Sequence, residues 1–230
     1  MAQGLRQLTV VSGKGGTGKT TVLASFAALA QGKVIADCDV DAANLYLLLH
    51  PEGYESGVFM GAQVAVRDED TCTRCGVCEQ TCRFAAITAE RIDAMACEGC
   101  GACVVACPAR ALRLEPVAVG HWYLGRTRYG PMAHARLLPA AESSGRLVTL
   151  VRQKAEDLAL QQGLDTVLID GPPGLGCTTT AALADVDLAL IVTEPTLSGM
   201  HDMARLVELI EHFGLAAAVL INKSDLNGDN

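Results

Sequence analysis

Long runs of one character are missing from this chain. No extended basic stretch occurs, and Lys and Arg (18) are outnumbered by Asp and Glu (26), for a net charge of −8. That balance offers nothing to a nucleic acid or an anionic membrane surface. No apolar run reaches the roughly 18 uncharged residues of a membrane-spanning helix. The N-terminus enters a polar-capped strand directly, without the regions of a secretory signal, so the expected location is the cytoplasm. Aromatic residues are also scarce, at 4% with a single Trp. What is plentiful is apolar residues, 50% against 19% charged. A chain of this length and composition can bury one large α/β core and carry a small insertion. Cysteine is the other surplus, ten in all, of which eight fall between Cys72 and Cys107. In a reducing compartment that clustering points to metal rather than to disulfides.

The chain is organised around Ser12-Gly13-Lys14-Gly15-Gly16-Thr17-Gly18-Lys19-Thr20-Thr21. An apolar run, Leu8 to Val11, precedes it and reads as a buried strand; Val22 to Leu29 follows and reads as a helix. Gly13, Gly18, Lys19 and Thr20 stand at the spacing of a phosphate-binding loop in its required strand–loop–helix context. In such a loop the glycines turn backbone N–H groups towards phosphate at a helix N-terminus. Lys19 would reach the β- and γ-phosphates, and the Thr20 hydroxyl would ligate Mg²⁺. A glycine-rich turn that binds nothing is the competing reading.

Carboxylates then recur at the ends of apolar runs. Lys33 to Ala36 leads into Asp37-Cys38-Asp39-Val40-Asp41, and Thr166 to Ile169 leads into Asp170-Gly171-Pro172-Pro173-Gly174. The C-terminal edge of a parallel sheet is where open α/β folds bind ligands, and Asp170 occupies a position suited to holding Mg²⁺ through water. The first cluster reads equally as helix capping before Ala42 to Leu45. Leu147 to Leu160 has helical spacing, Asp187 to Val192 and Ala216 to Ile221 read as strands, and Met203 to Ile210 reads as a helix. The stretch His121 to His134 holds the only Trp. It reads as an antiparallel extension with packing aromatics, or as an approach lined by Arg126, Arg128 and His134.

From Cys72 to Glu115 the chain repeats itself with a 25-residue shift. Cys72, Cys75, Cys78 and Cys82 map onto Cys97, Cys100, Cys103 and Cys107, with Gly76 on Gly101 and Ile87 on Leu112. Each half reads C-x₂-C-x₂-C-x₃-C, in which three thiolates wrap one face of a cubane and the fourth serves the other cluster. By that rule Cys72, Cys75, Cys78 and Cys107 hold one [4Fe–4S] cluster, and Cys97, Cys100, Cys103 and Cys82 hold the second. Zinc is a poorer fit, because its sites pair one C-x₂-C with a distant second one.

Two resemblances follow from these residues. Gly13-Lys14-Gly15-Gly16-Thr17-Gly18-Lys19-Thr20 resembles the deviant phosphate loop of the MinD/ParA and nitrogenase-iron-protein group of ATPases, and Asp170 to Gly174 resembles its switch II. Cys72 to Cys107 resembles a bacterial two-cluster ferredoxin, with one departure: Pro108 follows Cys107, whereas Arg83 follows Cys82. The first resemblance implies that Lys14 contacts phosphate across a nucleotide-bridged homodimer, unless it is a solvated loop lysine. It also implies that Asp39 orients water or Mg²⁺. Asn222-Lys223-Ser224-Asp225 resembles the base-recognition motif of P-loop proteins; Asp225 would favour guanine, but the group usually takes adenine, so ATP is expected. Cys177, seven residues after Asp170, stands at an offset similar to that of a cluster-ligating cysteine in the iron protein. A small buried cysteine capping the next helix is the alternative. The group normally continues with a further helix, strand and helix, which this chain lacks after Asn230.

The expected fold is thus a doubly wound, mostly parallel P-loop sheet in two parts, 1–66 and 117–230, interrupted at 67–116 by a small α+β ferredoxin-type domain. The expected function is ATP binding and hydrolysis, with Lys14, Lys19, Asp39 and Asp170 in the chemistry, coupled to electron transfer through two clusters. Gly13, Gly15, Gly16, Thr17, Gly18, Lys19, Thr20, Thr21, Asn222 and Asp225 would hold the nucleotide. An unknown redox or cluster-acceptor protein would be the partner. An ATP-gated cluster carrier and a redox-sensing nucleotide switch are the other readings.

Overall fold

The computed structural model describes residues 4–139, 141 and 145–226, and they form two compact units. The first takes in 4–57, 121–137 and 145–226; the second takes in 58–120 with the described residues of 138–141. The residues after 226, including the chain end discussed above, lie outside the described residues.

Chain order begins with strand β1 (Arg6–Ser12), helix α1 (Lys19–Leu29), β2 (Lys33–Asp37) and α2 (Leu45–Leu49). It continues with β3 (Glu52–Arg67), α3 (Val77–Thr81), α4 (Ala102–Ala106), β4 (Leu112–Thr127) and β5 (Gly130–Leu137). It closes with α5 (Gly145–Gln162), β6 (Thr166–Pro173), α6 (Cys177–Leu183), β7 (Leu188–Thr193), α7 (Leu197–His212) and β8 (Ala216–Ile221). The strands lie in the order β3-β4-β5-β2-β6-β1-β7-β8. From β5 to β8 every pairing is parallel.

The core follows from the two-residue period of a strand. On the central strand β1, Val10 faces α1 and packs with Leu23, Ala27 and Ile35. Its neighbour Val11 faces the other side and packs with Leu183 of α6 and Leu206 and Ile210 of α7. A strand covered on both faces has no reason to alternate with polar residues, which is why β2 is buried along its whole length. Each such buried Val, Ile or Leu contributes roughly 1.5–3 kcal/mol. The sheet is therefore doubly wound, and all the parallel strands bring their C-terminal ends to one edge.

Two boundaries differ from those the sequence suggests. The helix after the glycine loop begins at Lys19 rather than Val22, so the loop lysine is itself the first helical residue. Strand β4 runs through Glu115-Pro116, where the sequence suggests an end to the cysteine-rich segment. Beyond β5, Leu138 N–H donates to the Val119 carbonyl of β4 (2.9 Å). The stretch His121 to His134 is the β4–β5 hairpin, turned at Arg128-Tyr129.

In the second unit the sequence repeat is also a backbone repeat. Helices α3 and α4 are offset by the same 25 residues. So are three pairs of left-handed residues: Arg74 and Gly99 (φ 53° and 60°), Gly76 and Gly101 (78° and 75°), Ala85 and Arg110 (51° and 53°). Two cross-bonds match as well: Asp68 N–H donates to Ala111 O (2.8 Å) and Asp93 N–H to Ala86 O (2.7 Å). The halves interlock over a small core of Ala65, Ile87, Cys103 and Leu112.

Candidate functional site

The C-terminal edge of the parallel sheet gathers the polar residues that the strands themselves cannot accommodate. Ser12 ends β1, Asp37 ends β2 with Asp39 two residues beyond, Asp170 lies within β6, and Glu194 and Asn222 follow β7 and β8. The glycine loop crosses this edge. Gly18 adopts φ 94°, and a Cβ there would collide with the Asn222 amide, so glycine is required on both counts.

Lys19 is 6% exposed and forms ion pairs with Asp170 Oδ1 (2.9 Å) and Asp39 Oδ2 (3.3 Å). Burial opposes its charge, but the Asp170 and Asp39 carboxylates outweigh burial and hold its pKa above the ordinary lysine value. Asp37 stands opposite Asp170 in register and is fully buried. Burial first, and the negative charge of Asp170 second, push the Asp37 carboxyl well up. Burial also raises Asp170, against the pull of Lys19 and the Thr20 hydroxyl. Asp39 and Asp170 thus pair with one ammonium while Asp37 lies buried beside Asp170, an arrangement that additional positive charge would relieve. Two buried polar atoms here have no hydrogen-bond partner: Thr17 Oγ1 and Asp170 Oδ2. Among the described residues no three His, Cys, Asp or Glu side chains converge to hold a metal ion unaided. Mg²⁺ does not ask for that, since it takes one or two carboxylates and completes its shell with water and phosphate. The capping reading belongs to Asp37, whose Oδ2 accepts Leu45 N–H at the start of α2 (3.2 Å).

Lys14 is not a free loop lysine. Its ammonium pairs with Glu194 and donates to Ser198 Oγ (2.9 Å). Lys223 grips the same carboxylate at Oε2 (3.1 Å) and donates to Gly16 O (2.7 Å). Hydrogen bonds from Lys14 and Lys223 hold the Glu194 carboxyl below its usual range. Asn222 Nδ2 donates to Thr17 O (2.8 Å), which ties the residue expected at the base to the phosphate loop; Asp225 is exposed. Glu194, Ser198 and Lys223 were not assigned roles from sequence. A carboxylate immediately after an apolar strand, as in Thr193-Glu194, was the available signal.

The cysteines sort into two cavities of the second unit. Cys72, Cys75, Cys78 and Cys107 line one; Cys82, Cys97, Cys100 and Cys103 line the other. Backbone N–H groups aim at the sulfurs: Arg74 to Cys72 (3.4 Å), Ala65 to Cys97 (3.4 Å) and Ala111 to Cys107 (3.3 Å). Cys75 is pulled below the ordinary thiol value, chiefly by the Val77 N–H. Cys38 is fully buried beside β2, and burial drives its thiol far above the ordinary value. Cys177 is exposed as the first residue of α6, which does not match the reading as a buried cap. Arg126 and Arg128 line one surface cavity and His134 a neighbouring one.

A glycine loop between the first strand and helix of a parallel sheet, with its lysine gripped by carboxylates from two adjoining strands, defines a P-loop nucleotide-binding protein. Residues 8–230 match the CobQ/CobB/MinD/ParA nucleotide binding domain, and the chain belongs to that family as a P-loop ATPase of the MinD/ParA type. It is similar to an uncharacterized protein of Methanocaldococcus jannaschii, 33% identical over 98% of this chain and 81% of that protein. The septum site-determining protein MinD of Synechocystis sp. is 29% identical over 90% of this chain and 59% of its own length. Among solved structures, MinD of Pyrococcus horikoshii OT3, complexed with Mg-ADP, has a TM-score of 0.55 at 19% identity, covering 97% of this chain and 72% of that one. The Pyrococcus furiosus cell division ATPase MinD has a TM-score of 0.52 at 24% identity, over 96% and 73%. At these identities the likeness to both structures is one of fold. No described helix is long and apolar enough to cross a membrane.

Proposed function

We propose that the chain binds Mg²⁺-ATP on the loop Gly13 to Thr21, hydrolyses it in a nucleotide-dependent homodimer, and couples that cycle to electron transfer through two [4Fe–4S] clusters in an insertion at 67–116. Backbone N–H groups of Gly13, Gly15, Gly16, Thr17, Gly18 and Thr21 would cradle the phosphates. Lys19 would turn its ammonium from the two carboxylates to the β- and γ-phosphates, leaving Asp39 and Asp170 to hold water and, with Thr20, Mg²⁺. The unpartnered Thr17 Oγ1 and Asp170 Oδ2 fit that occupancy. Lys14 would leave Glu194 to meet phosphate in the partner protomer. Asn222 and Asp225 would border the base.

The observation that carries the cluster reading is the sorting of the cysteines. Each cavity takes three thiols from one half of the repeat and the fourth from the other half. When bound, each cluster supplies a one-electron centre. The chain contributes four thiolates and the N–H groups that stabilise sulfur charge. Cys75 and Cys100 are exposed, which favours cluster hand-over as a second reading. The test is anaerobic purification followed by iron, sulfide and ATPase assays on one sample. About eight irons and eight sulfides per chain are expected, together with Mg²⁺-dependent hydrolysis. Stoichiometric zinc without acid-labile sulfide removes the cluster reading. Reversible one-electron reduction supports electron transfer; loss of the clusters to an apo-acceptor supports the carrier.

A further inference from the structure

A cavity of ≈ 370 Å³ opens beside α2 in the first unit, lined by Tyr46, His50, Tyr123, His134 and Arg136 together with Leu47 and Pro51. None of these residues belongs to the nucleotide loop or the cysteine repeat. Its size falls within the roughly 300–1,000 Å³ of small-molecule sites.

Two of its polar groups stack on aromatic rings, His134 buried and Arg136 exposed. His134 and Arg136 lie two apart on β5 and so face the same side of the sheet. The imidazole stacks on Tyr46 (centroids 5.5 Å apart, planes within 9°) and on Tyr123 (5.0 Å, 19°). The Arg136 guanidinium lies over the same two rings, 4.0 Å from the Tyr46 centroid and 5.5 Å from that of Tyr123. Stacking on both phenols holds two flat N–H donors side by side before any ligand arrives, which lowers the ordering cost of binding.

One of these groups is left without a partner. His134 is 5% exposed, and its buried Nδ1 has no hydrogen-bond partner. No carboxylate lines the cavity. Burial, and secondarily the Arg136 charge, lower the His134 pKa to about 4, so the imidazole is neutral at physiological pH. The pair therefore presents one fixed positive charge. That matches a single carboxylate, which accepts bidentate bonds from a guanidinium, better than a phosphate group carrying about −1.5 to −2 charges. Leu47 and Pro51 offer contact to an apolar body.

We infer that this cavity is a binding site for a small organic acid with one carboxylate, held by the Arg136 guanidinium and the His134 imidazole. Benzoate serves as the probe, with the neutral benzamide as its control, in calorimetric titrations of the whole chain without nucleotide. Omitting nucleotide keeps the outcome separate from that of the ATPase proposal. Saturable binding of benzoate is expected, with benzamide and inorganic phosphate at least about tenfold weaker. Arg136→Gln should weaken benzoate at least about tenfold, and Arg136→Lys, which keeps the charge but not the fork, should also weaken it. Arg128→Gln, in the neighbouring cavity, should leave it unchanged. In protein labelled with ¹⁵N-histidine, benzoate should shift the His134 resonances, assigned by their loss in His134→Phe. Absent benzoate saturation, equal binding of benzamide, or undiminished binding by both Arg136 variants with native melting temperatures would overturn the assignment.

Discussion

Glu194 is the side chain that holds Lys14 of the glycine loop. Its carboxylate engages Lys14 and Lys223 together, so Lys14 must leave it to act elsewhere. Glu194→Gln removes the attraction while keeping the shape. We expect ATP-dependent dimerisation at several-fold lower ATP concentration, read by analytical ultracentrifugation. Combining it with Lys14→Ala should erase the gain; an equal gain in the double variant would show that Lys14 is not the group released. His134 gives a second prediction at this scale. Its folded pKa, about 4, lies below the ordinary 6.5, so between those values the unfolded chain binds a proton that the folded chain refuses. Stability from this group is present above pH 6.5 and is lost as pH falls towards 4, by about 2–3 kcal/mol. His134→Phe keeps a flat ring between the tyrosines without the titration. Thermal melts should show the native protein losing stability relative to His134→Phe as pH falls from 7 towards 4; parallel curves would contradict the buried neutral imidazole.

At the scale of elements, the cysteine repeat makes the sharpest demand. If each cavity draws its fourth thiol from the opposite half, Cys75→Ser and Cys107→Ser damage the same cluster although they lie in different halves. The double variant should then retain about four irons, like either single variant. Cys75→Ser with Cys82→Ser, both from one half, should lose both clusters and fall towards zero. Iron and sulfide counts on anaerobic protein separate the two patterns, and the reverse pattern would mean that each half holds its own cluster. The repeat was legible because ligand spacing is a local property, and the matching left-handed pairs and helices of the second unit are its backbone counterpart. Element ends were less legible. Pro116 reads as a stop, yet β4 passes through it, because whether a missing N–H matters depends on what lies alongside. The start of α1 at Lys19 likewise depends on the loop's backbone, not on the apolar pattern that follows.

For the whole molecule, the proposed nucleotide-dependent homodimer makes its demand on Lys14. Lys14→Ala should keep nucleotide binding, because Lys19 and the loop N–H groups remain, but lose ATP-dependent dimerisation and hydrolysis. Lys19→Ala should lose binding itself. Sedimentation with ATP and a nucleotide-binding assay distinguish these outcomes, and normal hydrolysis by Lys14→Ala would remove its role across the dimer. Sequence alone determined the glycine loop in its strand–helix setting, the alternation of buried strands and helices, and the duplicated cysteines. These are properties of neighbours along the chain, and covalent spacing fixes them. Only the tertiary structure decided that Asp39 and Asp170 share one lysine, that Asn222 clamps the loop carbonyl, and that Glu194 holds Lys14. It also decided that His134 and Arg136 lie flat against tyrosines from α2 and β4. Each of those groups is drawn from strands or helices far apart in the chain. The parallel sheet brings their ends to a common edge, and burial there changes what their charges cost.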